Sequence, residues 1–341
     1  MRIIIYLLSV IIPMIIIYIE YKKINFSELV YVTLSKVCML VGNDKGAKNF
    51  LIKLVSKYPE SYLGHKLLAK IYEKEGGMRK AIDEYVQVID INKQDYDSYY
   101  RISFLLNELG KKEEATGMLE TLLRKKPEML EATTLLGDLY CEQERYKEAA
   151  NIYNDALKYN PASYDIYYNL GIVYTMLNDF QNAKICYEKA AAINTLLYNS
   201  YYYLGEISFI YNDLEEAEKY FMQAIKDEEL EPKAYYNLAK LYMLRGDKEN
   251  AIKFLNVAIE IDPYMYKKAE AEPIFIPIKG YINFPNLDEA EPRKEKLTPK
   301  EKKAQKHLEE TMKLVGKLSR NEQKVRKENV QEKEQQKERE E

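Results

Sequence analysis

A period of 34 residues constrains the fold of this chain more than any other feature. The stretch Y-Y-N-L-G-I-V-Y begins at Tyr167, Y-Y-Y-L-G-E-I-S begins at Tyr201, and Y-Y-N-L-A-K-L-Y begins at Tyr235. Extending this period in both directions gives seven blocks without insertion or deletion: 28–61, 62–95, 96–129, 130–163, 164–197, 198–231 and 232–265. Self-similarity at this spacing is typical of stacked helix-turn-helix units, each of which buries its apolar face against its neighbours.

Two positions of the block hold small residues throughout. Position 20 is alanine in all seven blocks: Ala47, Ala81, Ala115, Ala149, Ala183, Ala217 and Ala251. Position 8 is also small in every block: Ser35, Ala69, Ser103, Gly137, Gly171, Gly205 and Ala239. A small residue is needed where two helices cross closely, because a larger side chain would overpack the crossing. The pattern therefore predicts two close-packed helices in each block.

The residues between the two helices indicate a tight turn. The position after the first helix is occupied by residues that tolerate the left-handed conformation of a helix C-cap in six blocks: Gly42, Gly76, Gly110, Asn178, Asn212 and Gly246. Glu144 holds this position in the fourth block and is the exception. Pro59, Pro127, Pro161 and Pro263 mark the ends of second helices.

On these residues the chain resembles the tetratricopeptide repeat family. That family has an aromatic residue at position 4, Leu-Gly at 7 and 8, Tyr at 11, Ala at 20, an aromatic at 24, Ala at 27 and Pro at 32. The first three blocks depart from it at position 27, with Leu54, Val88 and Leu122. The resemblance implies an all-α fold, a right-handed solenoid of about seven helix-turn-helix repeats.

The resemblance also implies that positions 2, 5, 9, 12 and 13 of the first helices line a concave groove where ligands bind. Tyr167, at position 4, is then expected in the core, and Tyr168, about 100° further round the helix, is expected on the groove. We predict this peptide-binding set: Tyr100, Phe104, Tyr168, Ile172, Met176, Tyr202, Phe209, Tyr236, Lys240 and Met243. Aromatic and Met side chains suit the apolar anchors of a client. The alternative is that they pack against the array itself or against the C-terminal tail.

The N-terminal residues 1–23 are predicted to be a transmembrane anchor. Ile3 to Ile19 carries no charge and would form about 25 Å of helix, enough to span a bilayer at the short end of the range. A signal peptide is the alternative, but the residues after this segment offer no small-residue cleavage site. Lys22, Lys23 and Lys36 follow the segment, which predicts a single-pass membrane protein with the bulk of the chain in the cytoplasm.

Two segments follow the repeats. Residues 266–290 are expected to cap the last repeat as a short helix followed by an extended piece, since the segment contains Pro273 and Pro277. Residues 291–341 form a charged, low-complexity tail with at most one short amphipathic stretch, which contains Leu308, Met312, Val315 and Leu318. We expect this tail to be disordered or loosely helical and to act as a solvated spacer.

The composition offers no pattern for catalysis or metal binding. Cys38, Cys141 and Cys186 are isolated, and the histidines are His65 and His307 alone, so no catalytic residue, metal site or cofactor is predicted. A net charge of -3 gives no bias toward nucleic acid, which is not an expected partner. An enzyme remains an alternative, because catalytic groups can assemble without a local motif.

These features together predict a membrane-anchored scaffold or adaptor that binds a client protein or peptide in its groove. The expected partners are that client and, through the N-terminal helix, the membrane; no small-molecule substrate is expected. The alternatives left open are an extracytoplasmic assembly factor, should the topology be reversed, and a non-catalytic subunit of a membrane enzyme complex.

Overall fold

The described residues are all-α, as the sequence predicts. A computed structural model describes residues 26–227, 231–283 and 297–314, and every regular element in these ranges is a helix. The chain divides into two compact units with the boundary after Leu135. The anchor predicted within 1–23 lies outside the described residues, and none of the helices within them is both long and apolar enough to cross a bilayer.

The first unit consists of consecutive helices that pack in pairs. Its complete helices are α1 (Phe26–Leu40), α2 (Asp44–Lys57), α3 (Tyr62–Lys74), α4 (Met78–Ile91), α5 (Tyr96–Glu108) and α6 (Lys112–Lys125). Helix α7 (Leu130–Glu142) contains the boundary residue. A first helix contacts the second helix of its own block and that of the preceding block: α3 contacts α4 and α2, and α5 contacts α6 and α4.

The second unit continues the same pairing and adds three further helices. Its repeat helices are α8 (Tyr146–Leu157), α9 (Tyr164–Met176), α10 (Phe180–Ile193), α11 (Tyr198–Ile210), α12 (Leu214–Ala224), α13 (Glu231–Leu244) and α14 (Lys248–Ile261). After them come α15 (Tyr264–Ala271), a 3₁₀ helix (Pro273–Tyr281), and α16 at residues 299–314.

The helix ends repeat with the sequence period. Side chains at several N-caps accept a hydrogen bond from a backbone N–H of the first turn: Asn43, Ser61, Asp95, Ser163, Asp179, Asp213 and Asp247. One residue per block, 34 positions apart, has a positive φ between the two helices: Gly42, Gly76, Gly110, Glu144, Asn178, Asn212 and Gly246. Glu144 therefore departs from the pattern in residue type but not in backbone conformation, with φ of 59°.

The small residues of each block make room for large ones. Every position-20 alanine is fully buried. At position 8, a Cβ added to Gly171 would lie 2.7 Å from the Tyr187 ring, and one added to Gly205 would lie 2.6 Å from the Phe221 ring. The glycine of the first helix thus accommodates the buried aromatic ring of the second, a closer contact than helix crossing alone requires.

The C-terminal segments correct two expectations. The piece after α15 is a 3₁₀ helix and not extended, because Pro273 lies in its first turn, where the missing N–H costs nothing. The expectation of a solvated spacer is wrong for 299–314, which form a helix with Ala304 and Leu308 fully buried. Helix α16 begins with a capping box, in which the Thr298 N–H donates to Glu301 Oε2 at 2.7 Å and the Glu301 N–H donates to Thr298 Oγ1 at 3.4 Å.

Candidate functional site

Helix α16 lies on the first helices of the second unit, on a surface that we call the second-unit groove. The groove is formed by these residues: Asp138, Tyr168, Asn169, Ile172, Asn199, Tyr203 and Lys233. Ala304 and Leu308 of α16 are fully buried in one apolar cluster with Tyr168, Ile172 and Tyr203. The groove therefore already holds an amphipathic helix, and that helix belongs to the same chain.

Three tyrosines form the floor beneath α16. Tyr187 and Tyr203 stack with ring centroids 5.1 Å apart and planes 9° apart, and the Tyr168 ring meets Tyr187 edge-on at 5.9 Å. The Tyr168 hydroxyl donates to Glu301 Oε1 at 2.5 Å, and the Tyr203 hydroxyl donates to the Glu301 carbonyl oxygen at 3.1 Å. The three rings support the apolar contact, while the hydroxyls of Tyr168 and Tyr203 bind one residue of the docked helix.

Glu301 is the polar centre of this contact. Asn199 Nδ2 also donates to its Oε1, at 3.2 Å. Burial opposes the charge of the Glu301 carboxylate, but the hydrogen bonds from Thr298, Tyr168 and Asn199 outweigh it and hold the pKa of this carboxyl below its ordinary value. The groove thus favours an ionised carboxylate at this position of the helix.

Polar pairs flank the apolar contact along the whole of α16. On one flank Lys300 Nζ lies 2.6 Å from Asp138 Oδ1 and 2.8 Å from Asn169 Oδ1. The remaining pairs are Lys303 with Glu144 at 2.8 Å, His307 with Asn178 at 2.9 Å, Gln305 with Lys233 at 2.9 Å, and Glu309 with Lys268 at 2.8 Å. Because they differ in sign along the helix, these pairs fix its direction and register.

A buried carboxyl lies among the groove residues. Glu206 of α11 is fully buried; its Oε1 accepts from the Tyr202 hydroxyl at 2.9 Å, and its Oε2 has no hydrogen-bond partner among the described residues. Burial, and then the negative charge of Glu309 on α16, raise the pKa of Glu206 to about 8, and the charges of Lys268 and Lys233 offset this only in part. The position-9 carboxyl is therefore protonated at neutral pH.

The C-terminal cap covers a second part of the predicted surface. The Tyr236 hydroxyl donates to Glu272 Oε2 at 2.7 Å, and its ring meets Phe275 edge-on at 5.4 Å. Lys240 donates to Glu272 Oε1 at 3.1 Å. Met243 is half-buried against the same cluster. These three predicted residues are covered by the segment that follows the last repeat.

The predicted contrast within the tyrosine pairs is wrong in the second unit. Tyr168 and Tyr236 are buried and Tyr167 and Tyr235 are half-buried, the reverse of the expected order. The physical reason is that α16 and the cap cover position 5. Tyr202 is also buried, but in the interior, where its ring packs against Phe221 at 6.0 Å.

The other predicted residues divide between the units. Met176 is half-buried and packs on the cluster that contains Ala304 and Leu308. Phe209 is half-buried, with Lys240 Nζ 5.8 Å above its ring. In the first unit Tyr100 and Phe104 are half-buried, and Arg101, paired with Glu73, lies over the Phe104 ring at 5.2 Å. The structure thus joins Tyr168, Ile172 and Met176 in one contact and does not add Tyr202 to it.

Sequence reasoning missed the residues that hold α16 by polar contacts. Tyr203 and Asn169 lie at position 6 of their blocks, which is not a groove position of the family. Asn199 and Lys233 lie at position 2, which is a groove position, but the predicted set does not include them. The sequence does contain a motif that indicates helix α16. Thr298-Pro299-Lys300-Glu301 is a capping box with proline at the first helical position, and apolar residues four positions apart follow it. That motif would have predicted a helix at this point of the tail.

The described residues hold no group of three or more His, Cys, Asp or Glu side chains placed to bind a metal ion. Burial raises the pKa of the Cys141 and Cys186 thiols to about 12, so both stay protonated at neutral pH. The chemistry that this arrangement supports is the binding of a helix.

Comparisons with known proteins identify the repeats. Residues 106–156 and 212–266 match one family described as tetratricopeptide repeat, residues 164–195 match a second, and residues 137–178 match a family described as TPR repeat. No curated protein matches the chain.

Several solved structures are similar in fold. The C-terminal part of a TPR repeat-containing protein from Cytophaga hutchinsonii is 15% identical, with a TM-score of 0.60 over 68% of this chain and 95% of that one. A tetratricopeptide repeat protein from Parabacteroides merdae is 18% identical, with a TM-score of 0.49 over 71% and 97%. YrrB, described as a TPR protein with an unusual peptide-binding site, is 24% identical, with a TM-score of 0.49 over 55% and 98%. With the paired helices, the fully buried position-20 alanines and the matched repeats, the chain is a tetratricopeptide repeat protein.

Proposed function

We propose that this protein is a scaffold or adaptor that binds a helical segment of a client protein in the second-unit groove. The observation that carries the proposal is α16 itself, which lies on the groove with Ala304 and Leu308 fully buried. A surface that buries one amphipathic helix has the shape and polarity to bind another, as in other helix-in-groove interactions. Tyr168, Ile172 and Met176 are the proposed client-contacting residues.

The chemistry of the groove supports protein binding. Its floor is aromatic, its flanks carry charged and amide groups, and the docked helix uses both. Interfaces commonly combine aromatic anchors at the centre with a polar rim. The part covered by the cap, with Tyr236 and Lys240, lies under the chain's own residues and is a weaker candidate for the first contact with a client.

A photoreactive analogue of methionine tests client binding in cells. Met176 is half-buried beside α16, and Met222 is exposed on a second helix of the repeats, so the two give a matched pair. A bound client should crosslink from Met176 and not from Met222. Crosslinks from Met176 that reach only residues of the same chain, with or without α16 docked, contradict the proposal.

The proposal includes anchoring of the scaffold at a membrane, with the repeats in the cytoplasm. What supports it is the uncharged run Ile3 to Ile19 and the lysines that follow, Lys22 and Lys23. The protein should sediment with membranes and resist extraction by alkaline carbonate. A reporter fused after Lys23 that works only beyond the membrane would contradict the cytoplasmic placement and favour an extracytoplasmic assembly factor.

A further inference from the structure

Helix α16 is attached to the repeats as a ligand would be, not as a further repeat. It follows the cap after 284–296, thirteen residues outside the described ones, and a chain of that length can span up to about 45 Å. Lys302 and Lys306 are exposed on its outer side. One side of the helix is therefore in contact with the groove and the other with solvent.

Helix α16 buries few apolar side chains against the groove and makes many polar contacts with it. Its fully buried apolar side chains are Ala304 and Leu308, whereas Lys300, Glu301 and Glu309 are each held by a charged or polar partner. An isolated helix of this length is marginal in water and gains its stability from docking. A contact of this kind can open without unfolding the repeats beneath it.

From this contact, and resting on the proposed function, we infer that the groove recognises an amphipathic helix with a defined pattern and that α16 is its built-in competitor. The pattern is an N-cap Thr-Pro, a glutamate three residues after the threonine, a small residue three further on, and a leucine four after that. A client helix with this pattern displaces α16, and the tether returns α16 when the client leaves.

Each element of the pattern has a physical cause on the groove. The glutamate is fixed by the hydroxyl of Tyr168 and the amide of Asn199. The residue at 304 must be small because it is fully buried in the same cluster as Tyr168, Tyr187 and Tyr203. The position of Leu308 is enclosed in that cluster and suits a branched apolar side chain.

Charge adds direction to the recognition. Lys300, before the glutamate, meets Asp138, and Glu309, eight residues after it, meets Lys268. A client helix placed in reverse would bring like charges together, which disfavours that orientation. The expected client helix is therefore basic beside the glutamate of its first turn and acidic after its leucine.

Competition follows from the tether. A segment held close to its site acts at a high effective concentration, which lowers the apparent affinity of any free helix for the same groove. Residues 297–314 supplied as a separate, fluorescein-labelled peptide should bind weakly to the wild-type chain. They should bind at least about tenfold more tightly to full-length A304D/L308D, whose own helix cannot bury its apolar side.

A charge exchange tests the same contact without relying on that difference. In the A304D/L308D background, K268E should weaken binding of the wild-type peptide. The peptide carrying E309K should regain the lost affinity for the chain with K268E, and should gain none for the chain that keeps Lys268. The peptide carrying E301A should bind more weakly than the wild-type peptide to every chain. Far-UV circular dichroism and gel filtration of each variant check that the repeats remain folded.

The outcomes separate this inference from the proposed function. Equal binding of the peptide to wild type and A304D/L308D, or no effect of E301A, overturns the inference. Client crosslinks at Met176 together with a peptide that fails to bind leave the scaffold proposal standing and overturn the competitor. Tight, charge-dependent peptide binding supports the inference even when no client is captured.

Discussion

Two tyrosine pairs at the same repeat positions are buried in opposite order in the two units. In the first unit Tyr99 is 7% exposed and Tyr100 is half-buried. In the second unit Tyr168 is 8% exposed and Tyr167 is half-buried. The repeat determines on which side of the helix each tyrosine lies. The segment that packs over the helix determines which of the two is buried and contributes more to the free energy of unfolding. In the second unit that segment is α16.

The largest expected effect is on the free energy of unfolding, where the more damaging tyrosine-to-alanine change should be at position 5 in the second unit and at position 4 in the first. Y168A should lower the free energy of unfolding by about 3 to 5 kcal/mol, because it removes a buried aromatic ring, and Y167A should cost clearly less. In the first unit Y99A should cost more than Y100A. Urea unfolding followed by circular dichroism measures all four variants, and the same order in both pairs would contradict the role given to α16.

Undocking α16 should reduce the difference in burial order between the tyrosine pairs of the two units. Leu308 is fully buried, so L308A should cost about 3 kcal/mol in the free energy of unfolding of the second unit. In the L308A background Y168A should cost less than it does alone, because contacting residues are not additive. Leu314 lies on the same helix and is 59% exposed, so L314A is the matched control and should have little effect.

Full additivity of L308A and Y168A, measured as a double-mutant cycle, would show that α16 does not stabilise Tyr168. Hydrogen exchange of the α9 and α11 backbone gives a second measure. It should rise in L308A and remain unchanged in L314A.

The sequence predicted what depends on the period. Local rules that each block repeats account for the helix pairs, the buried position-20 alanines and the turn at 34-residue spacing. They also account for the left-handed conformation of the turn residue, which Glu144 adopts although a glutamate disfavours it. Whether position 5 binds a client or packs against the C-terminal tail, the two alternatives that the sequence leaves open, depends on what lies beyond the repeat. Periodicity carries no information on that point.

The second-unit groove was predicted only in part for the same reason. Tyr168 and Ile172 were found because they lie at groove positions of their block, but Tyr203 contacts α16 from position 6. The partner helix begins in a segment whose composition is charged, and composition averaged over the tail hid the capping box at Thr298. This segment is helical although the average composition of the tail is charged, because the capping box starts the helix and the second-unit groove covers its apolar side.

The buried carboxyl of the second unit predicts a pH dependence of stability that an exposed carboxyl of the first unit should not produce. Burial raises the pKa of Glu206 from its ordinary 4.5 to about 8. A raised carboxyl pKa gives stability that is complete below the ordinary value and is lost as pH rises through about 8. E206Q should therefore remove a loss on the order of 2 kcal/mol in the free energy of unfolding between pH 6 and pH 8.

Thermal unfolding of wild type and E206Q across this range measures the difference. The control is E108Q in the first unit, an exposed carboxyl at the end of α5, which should leave the pH profile of wild type unchanged. Identical profiles for wild type and E206Q would show that the Glu206 carboxyl is not buried as a neutral group. Because Glu309 of α16 contributes to the shift, L308A should move the profile toward that of E206Q.

The smallest expected effect comes from the turns, where the units also differ. The three left-handed turn residues of the first unit are glycines, whereas the second unit has Glu144 with φ of 59°. A side chain other than glycine costs roughly 1 to 2 kcal/mol in this conformation, so E144G should raise the free energy of unfolding by about 1 kcal/mol. The ion pair that Glu144 loses with Lys303 is largely exposed and offsets little of this gain. N212G, at a residue type that already tolerates φ of 58°, should gain less, and equal gains at both sites would mean that the strain does not depend on the glutamate.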